Sequence, residues 1–285
     1  FQIGPRLNAS GRMDHADLTL NLLLEKDPVK ARILALEVES KNTERQKVSL
    51  QVYNEIKATL DEKKSYKLIL RTGKHWPLGI VGVVAGKICD EYHCPVFLLR
   101  ENEGLIEGSG RSIGVFDIVS AVAKLDRYVE KYGGHAQAMG IKIKPENIEK
   151  FEKELLKLIE KEHNEEKWGK KLLIDAEIKA EEIDWDLFSE IRKFEPFGEG
   201  NREPVFLAKN LMVREMKLVG NGQKHIKLVF EVGKSKMFEG IFFKCGDKFE
   251  NFKTGEKVSV VFLLRSDEWN GSRKLELNIV DLKKE

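Results

Sequence analysis

The run Tyr132-Gly133-Gly134-His135-Ala136-Gln137-Ala138-Met139-Gly140 holds the residue types best suited to handling a charged ligand. Adjacent Gly133 and Gly134 open backbone conformations closed to other residues and let N–H groups approach a ligand closely. His135 follows at once, and its ring can donate to a phosphate oxygen or carry a proton. The small residues Ala136, Ala138 and Gly140 leave room for something large. A tight turn beside a core histidine uses the same residues equally well. Two further stretches carry related chemistry. In Gly4-Pro5-Arg6-Leu7-Asn8-Ala9-Ser10-Gly11-Arg12, the arginines Arg6 and Arg12, with Asn8 between them, either grip phosphate in bidentate fashion or pin a loop to neighbouring carboxylates. In Gly108-Ser109-Gly110-Arg111-Ser112, hydroxyls, free N–H groups and one arginine make either an oxyanion cradle or an ordinary strand exit.

Other chemistries find no support in the residues. Metal-dependent hydrolysis needs several carboxylates or imidazoles on one or two ions, and no Asp/His cluster of that density stands in the chain, so no metal ligand is assigned. No GxSxG, Walker A or dinucleotide fingerprint occurs. The three cysteines, Cys89, Cys94 and Cys245, lack zinc-type spacing, and their odd number argues against a disulfide framework. A reducing cytoplasm is the expected compartment. No signal peptide and no apolar run of spanning length is seen, so no membrane partner is expected. The net charge of +2 confines any anion-binding surface to a local patch.

These residues need elements to position them, and 285 residues suit two or three domains. The chain opens at Phe1 with no initiator methionine, and a piece of a longer protein is expected. Residues 4–13 read as a loop. Asp14 or Asp17 caps a short helix Leu18–Leu24, and Asp27-Pro28 starts a long helix running to about Leu60. Val29, Ile33 and Leu36 mark its first apolar face, and Val48, Val52, Ile56 and Leu60 repeat at intervals of four. Its middle, Glu39–Lys47, is polar, as in helices that bridge two bodies. From 63 to 164 strands at Tyr66–Arg71, Pro95–Arg100, Gly104–Arg111 and Met139–Lys144 alternate with helices at Leu78–Tyr92, Val115–Val129 and Pro145–His163, a small α/β domain. A charged linker, Glu165–Lys171, follows. From 172 to 285 short strands at Val205–Leu211, Met216–Val219, His225–Glu231, Met237–Phe243, Lys257–Leu264 and Leu275–Val280 are separated by turns such as Asn270-Gly271, which predicts an OB-type β-barrel. Lys224, His225, Lys227, Trp269 and Arg273 put basic and aromatic groups on its strands and turns, as a single-strand groove requires. Its phenylalanines, Phe242, Phe243, Phe249, Phe252 and Phe262, read as core. Trp76 reads as a core residue too.

Together these motifs resemble those of RecJ-type single-strand exonucleases in the DHH phosphoesterase superfamily. Four segments fall in that family's order: Gly4–Arg12, Gly108–Ser112, Gly133-Gly134-His135 and Glu195-Pro196-Phe197-Gly198-Glu199-Gly200-Asn201-Arg202-Glu203-Pro204-Val205-Phe206. The last is the most specific. Gly-Gly-His alone is shared with other DHHA1 domains. Two departures are His75-Trp76-Pro77-Leu78-Gly79, where many members read Trp-His-Pro-Gly, and Arg202 in place of a proline.

The resemblance implies residues 1–62 as the end of a DHH-side region with its connecting helix, 63–164 as a DHHA1 domain and 172–285 as an OB domain. It implies the DNA-binding part of an enzyme that hydrolyses phosphodiester bonds of single-stranded DNA, 5′ to 3′, in repair and recombination. Mn²⁺ or Mg²⁺ would be bound mainly by an upstream DHH domain. Arg6, Asn8, Arg12, Ser109, Arg111, Ser112, Gly133 and Gly134 would hold the substrate, with His135 nearest the scissile phosphate. Single-stranded DNA is the implied partner, with a single-strand-binding protein and a helicase beside it. The alternatives are a non-catalytic single-strand-binding DHHA1/OB protein and a related oligonucleotide phosphodiesterase.

Overall fold

The computed structural model describes residues 2–61, 64–102, 104–162, 168, 171–232, 236–269 and 272–285. It divides into two compact units, Phe1–Lys170 and Lys171–Glu285. Most of the expected linker Glu165–Lys171 and the turn Asn270-Gly271 lie outside the described residues.

The first unit begins with helices, where a loop was expected: α1 (Gly4–Leu7) and α2 (Ala9–Met13), then α3 (Asp17–Leu24). Pro5 sits in the first turn of α1, where a missing N–H costs nothing. Ser10 is buried, its hydroxyl 2.5 Å from that of Thr19 on α3. Neither Asp14 nor Asp17 caps α3; Ala16 stands at its N-cap. Helix α4 (Pro28–Lys57) starts as expected, with the Asp27 carboxylate accepting from the N–H groups of Val29 and Lys30. The apolar face expected at Val48, Val52, Ile56 and Leu60 packs into the core, but the one expected nearer the N-terminus does not. Val29, Ile33 and Leu36 are exposed, whereas Val38 and Asn42 are buried. The reason is that α1, α2 and α3 pack on α4, so its polar middle receives neighbours within one unit.

The rest of the unit is a five-stranded sheet in the order β1 (Ile69–Gly73), β2 (Val96–Asn102), β3 (Leu105–Arg111), β5 (Ala138–Ile143), β4 (Lys131–His135). Only the β1–β2 pair is parallel. Helix α5 (Leu78–Tyr92) covers one face of β2 and β3. Helices α6 (Ile118–Ala123) and α7 (Ile148–Glu162) cover the other, where Phe151 meets Phe97 edge-on at 5.7 Å. Phe151, Leu155 and Ile159 recur every four residues along α7 and are buried. The helix expected over Val115–Val129 is reduced to α6, capped by Asp117, and a 3₁₀ turn at 126–128.

The Gly-Gly-His run is not a turn. It is β4, an edge strand paired with β5 through the two-residue connection Ala136-Gln137. Gly134 has φ +150°, and a Cβ there would lie 2.3 Å from the Ala138 carbonyl oxygen, so the pairing itself demands glycine.

In the second unit, strands β7 (Phe206–Val219), β8 (His225–Val232), β9 (Lys236–Phe242), β11 (Ser272–Lys284) and β10 (Lys257–Trp269) form a barrel that the β10–β7 pair closes. A short β6 (Ala176–Glu177) runs beside β7, and α8 (Trp185–Arg192) precedes the barrel. The two strands expected at Val205–Leu211 and Met216–Val219 are one, irregular between Val213 and Glu215 where the pairing with β8 shifts. Alternate residues Ile226, Leu228, Phe230 and Val232 of β8 fill the core. The Pro-Phe-Gly segment before β7 is structural: Asn201 Nδ2 donates to the carbonyls of Phe194 and Pro196 at 2.8 and 3.0 Å.

Candidate nucleic-acid interface

Strand alternation sorts the candidate residues of the first unit by face. Three cross-strand rows run from β4 through β5 and β3 to β2: Lys131–Lys142–Glu107–Arg100, Gly133–Gly140–Ser109–Leu98 and His135–Ala138–Arg111–Val96. All twelve side-chain positions share one face. Helix α5 covers its β2 end, where Leu98 and Val96 are fully buried, and leaves its β4 end open. Ser109, Arg111, Gly133 and His135 are thereby brought together, although their sequence separations give no hint of it.

The floor of this face is bare backbone. A Cβ at Gly133 would meet nothing within 4 Å, and one at Gly140 only the Gly108 oxygen at 3.9 Å. Packing therefore does not require glycine at these two positions; their smallness opens a trough of about 400 Å³ lined by Leu78, Ser109, Tyr132, Gly133, Gly140 and Lys142. His135 is exposed, not a core histidine. Glu107 is the acid of the outer row, held between Lys142 at 2.8 Å and Arg100 at 2.7 Å. Hydrogen bonds from Lys142 and then Arg100 lower its pKa below the usual carboxylate value.

Arginines gather where this face meets α5. Arg12 Nη1 donates to the Gly79 carbonyl at 3.2 Å. The α2 backbone lies so close there that a Cβ on Gly79 would be 2.0 Å from the Arg12 oxygen. One turn along, a Cβ on Gly82 would meet Arg111 Nη2 at 2.7 Å and Ser109 Oγ at 3.1 Å. Two α5 glycines thus seat the two candidate arginines. Burial, and then the charge of Arg12, lower the Arg111 pKa; the same two causes lower that of Arg45 on α4. Arginine stays charged at neutral pH all the same. Among the described residues, none of Arg12, Arg45 and Arg111 has a carboxylate within ion-pair distance. Sequence reasoning passed over Arg45 and Lys142 and gave Tyr132, though it opens the Gly-Gly-His run, no role.

Three expected residues stand apart. Arg6 is paired with Glu39 of α4 and also donates to the Gln2 carbonyl at 2.6 Å, so it pins α1 as the carboxylate alternative foresaw. Ser112 is buried, its hydroxyl donating to the Phe116 carbonyl at 2.7 Å, and it cannot face a ligand from there. Gly134 faces the opposite side of the sheet from Gly133. Asn8 is exposed between α1 and α2. Trp76 is buried as expected, with Nε1 donating to Glu55 at 3.1 Å.

On the barrel, two of the four basic candidates, Lys227 and Arg273, are ion-paired. Lys227 and Lys274 both reach Glu239 at 2.6 Å, and these bonds lower the Glu239 pKa. Arg273 meets Glu268 at 2.9 Å and lies 4.6 Å from the centre of the Trp185 ring. His225 Nδ1 accepts from the Lys244 N–H at 2.9 Å, and its ring meets Phe243 at 5.2 Å. Phe243 is 49% exposed, unlike the other barrel phenylalanines, so the expectation that all are core fails for it. Lys224 is exposed. Trp269 ends β10, and its side chain lies outside the described residues.

With this geometry in hand, known proteins can be compared. The DHHA1 domain family matches residues 64–161 and the RecJ OB domain family residues 174–281. The single-stranded-DNA-specific exonuclease RecJ of Bacillus subtilis is 28% identical over 284 residues, which is 99% of this chain and 36% of that protein. That of Escherichia coli is 27% identical, covering 98% of this chain and 50% of its own length. The crystal structure of Thermus thermophilus RecJ with Mg²⁺ superposes with a TM-score of 0.85 at 26% identity, over all of this chain and 43% of that one. A manganese-bound RecJ structure matches 56% of the chain with a TM-score of 0.50. The chain spans between a third and a half of the length of these relatives.

Proposed function

From a chain that carries a DHHA1 domain followed by a RecJ OB domain and matches RecJ in structure, we propose the DNA-holding part of a single-strand-specific exonuclease that hydrolyses phosphodiester bonds from the 5′ end. The observation that carries this reading is the open, glycine-floored face edged by arginines that lack acid partners. The strand's backbone lies along the Gly133–Gly140 floor, where no side chain stands in its way. Ser109, Arg111 and Arg12 hold phosphate oxygens through charge-assisted hydrogen bonds. Asn8 remains a candidate beside them, while Arg6 and Ser112 have structural duties instead. His135, exposed at the end of the inner row, faces the phosphate under attack and offsets its growing negative charge.

Among the described residues, no three His, Cys, Asp or Glu side chains converge on a point that could hold a metal ion. The described residues offer no such donor set, and no step is derived through a metal. In this reading Mn²⁺ or Mg²⁺, which accompany the RecJ structures, belongs to protein outside these 285 residues. The second reading is that this portion binds single strands without cutting them. No helix among the described residues is long and apolar enough to cross a membrane. A cytoplasmic location, a single-strand-binding protein and a helicase complete the proposal.

The test is kinetic. The longer protein that contains this chain, given Mn²⁺, should degrade single-stranded DNA, and His135→Ala should slow it by about 10²-fold or more. Unchanged turnover in that variant would remove His135 from the site.

A further inference from the structure

Three guanidiniums sit against one short stretch of α5. Arg12 bonds to the Gly79 carbonyl and Arg111 lies over Gly82. Arg45 of α4 lines a groove of about 240 Å³ with Gln46, Ser49, Val83, Val84 and Lys87. From Gly79 to Val84 the helix rises only about 8 Å, so the three charges share one neighbourhood. The charge of Arg12 is felt by both Arg45 and Arg111. The contrast with Arg6 is direct, because that residue meets Glu39 two turns before Arg45 on the same helix. A row of like charges without acids is unfavourable by itself, and an external anion removes the penalty.

Arg45 is also held in place. Its Nε and Nη2 donate to Asn42 Oδ1 at 3.3 and 3.0 Å. Asn42 is 1% exposed, in the middle of a helix, where a buried amide is costly unless its polar atoms are matched. Orienting Arg45 gives it that match and leaves other guanidinium N–H groups for a ligand. One turn beyond Arg45, the buried Ser49 hydroxyl has no hydrogen-bond partner and belongs to the same groove.

We infer that Arg45 binds a backbone phosphate of single-stranded DNA beside the one held by Arg12 and Arg111, and that Asn42 is its positioning residue. The ligand class rests on the function proposed above; the added site does not.

The experiment measures binding of the 285-residue chain to a fluorescent oligothymidylate across a salt series, with thermal unfolding of every variant in parallel. Arg45→Ala weakens binding about tenfold, as losing a charge-assisted hydrogen bond should, and flattens the plot of log affinity against log salt by about 0.7. Arg45→Lys restores the slope. Asn42→Ala reproduces most of both losses, and in the double variant it adds nothing to Arg45→Ala. Should Asn42→Ala unfold, Asn42→Leu keeps the buried volume without the acceptor and must give the same result. Wild-type affinity and slope in Arg45→Ala, with Arg111→Ala impaired, would overturn this inference and leave the proposed function standing. Additive losses from Asn42 and Arg45 would overturn the positioning role. No loss in Arg12→Ala, Arg111→Ala and Arg45→Ala alike would sink the proposed function as well.

Discussion

The open face of the sheet and the outer surface of the barrel both carry basic side chains but differ in what surrounds them. Near the sheet, Arg12, Arg45 and Arg111 have no carboxylate partner among the described residues, and the glycines at 133 and 140 keep the space beside Ser109 empty. On the barrel, Lys227 and Lys274 share Glu239, Arg273 meets Glu268, and Arg265 meets Glu203 at 2.5 Å. A cation that already has its anion inside the protein offers less to an external phosphate, because the new contact first has to break the old one, at up to about 1 kcal/mol for an exposed pair. The difference teaches that counting lysines and arginines does not locate an anion site; counting the acids beside them does.

The comparison can be broken most severely at Gly79. A Cβ there collides with the Arg12 backbone, not with a flexible tip, so Gly79→Ala must push α2 off α5. A stability loss of about 2 kcal/mol or more is expected in thermal unfolding, together with weakened single-strand binding. Gly82→Ala is the sharper cut. Its new methyl meets the flexible end of the Arg111 side chain at 2.7 Å and the Ser109 hydroxyl at 3.1 Å, and alanine is the better helix former. Stability should hold or rise by up to about 1 kcal/mol while binding falls about threefold to tenfold. A variant that lost stability and kept its binding would show that Arg111 is a packing residue.

Glu107→Gln tests the comparison from the other side, by turning paired cations into unpaired ones. Freed of Glu107, Lys142 should raise single-strand affinity about twofold to threefold, since exposed pairs are weak competitors. The same change should cost about 1 kcal/mol of stability at neutral pH. The folded pKa of Glu107 is depressed, so its stabilisation is complete above the ordinary carboxylate pKa and is lost as pH falls through the folded value. The stability gap between wild type and Glu107→Gln must therefore close in acid. A gap that widens there would contradict the ion-pair assignment.

How much of this was legible in the sequence depended on whether the signal was local. Helix α5 has the bounds expected of it, because fifteen residues of clean period end at a left-handed His93. The barrel strands were visible through alternation and turn residues. Gly133-Gly134-His135 was misread as a turn because two glycines carry no side-chain pattern; only pairing with β5 reveals an edge strand. Arg6 and Arg12 looked alike in their loop, and the acid that separates their roles, Glu39, lies 33 residues away. Ser109 and Ser112 could have been distinguished locally, since the period of two puts Ser109 with Arg111 and leaves Ser112 beyond the strand end. Arg45 was beyond reach, because its meaning depends on α2 docking onto the middle of α4.

The most direct test measures the salt dependence of single-strand binding for four variants of the chain: Arg12→Ala, Arg111→Ala, Lys227→Ala and Arg273→Ala. The first two should each lose about tenfold in affinity and flatten the log–log salt slope by about 0.7. The barrel pair should lose less than about threefold with the slope little changed, since each side chain already has a glutamate partner. The opposite pattern, flattening from the barrel variants and none from the arginines at the sheet, would contradict the account.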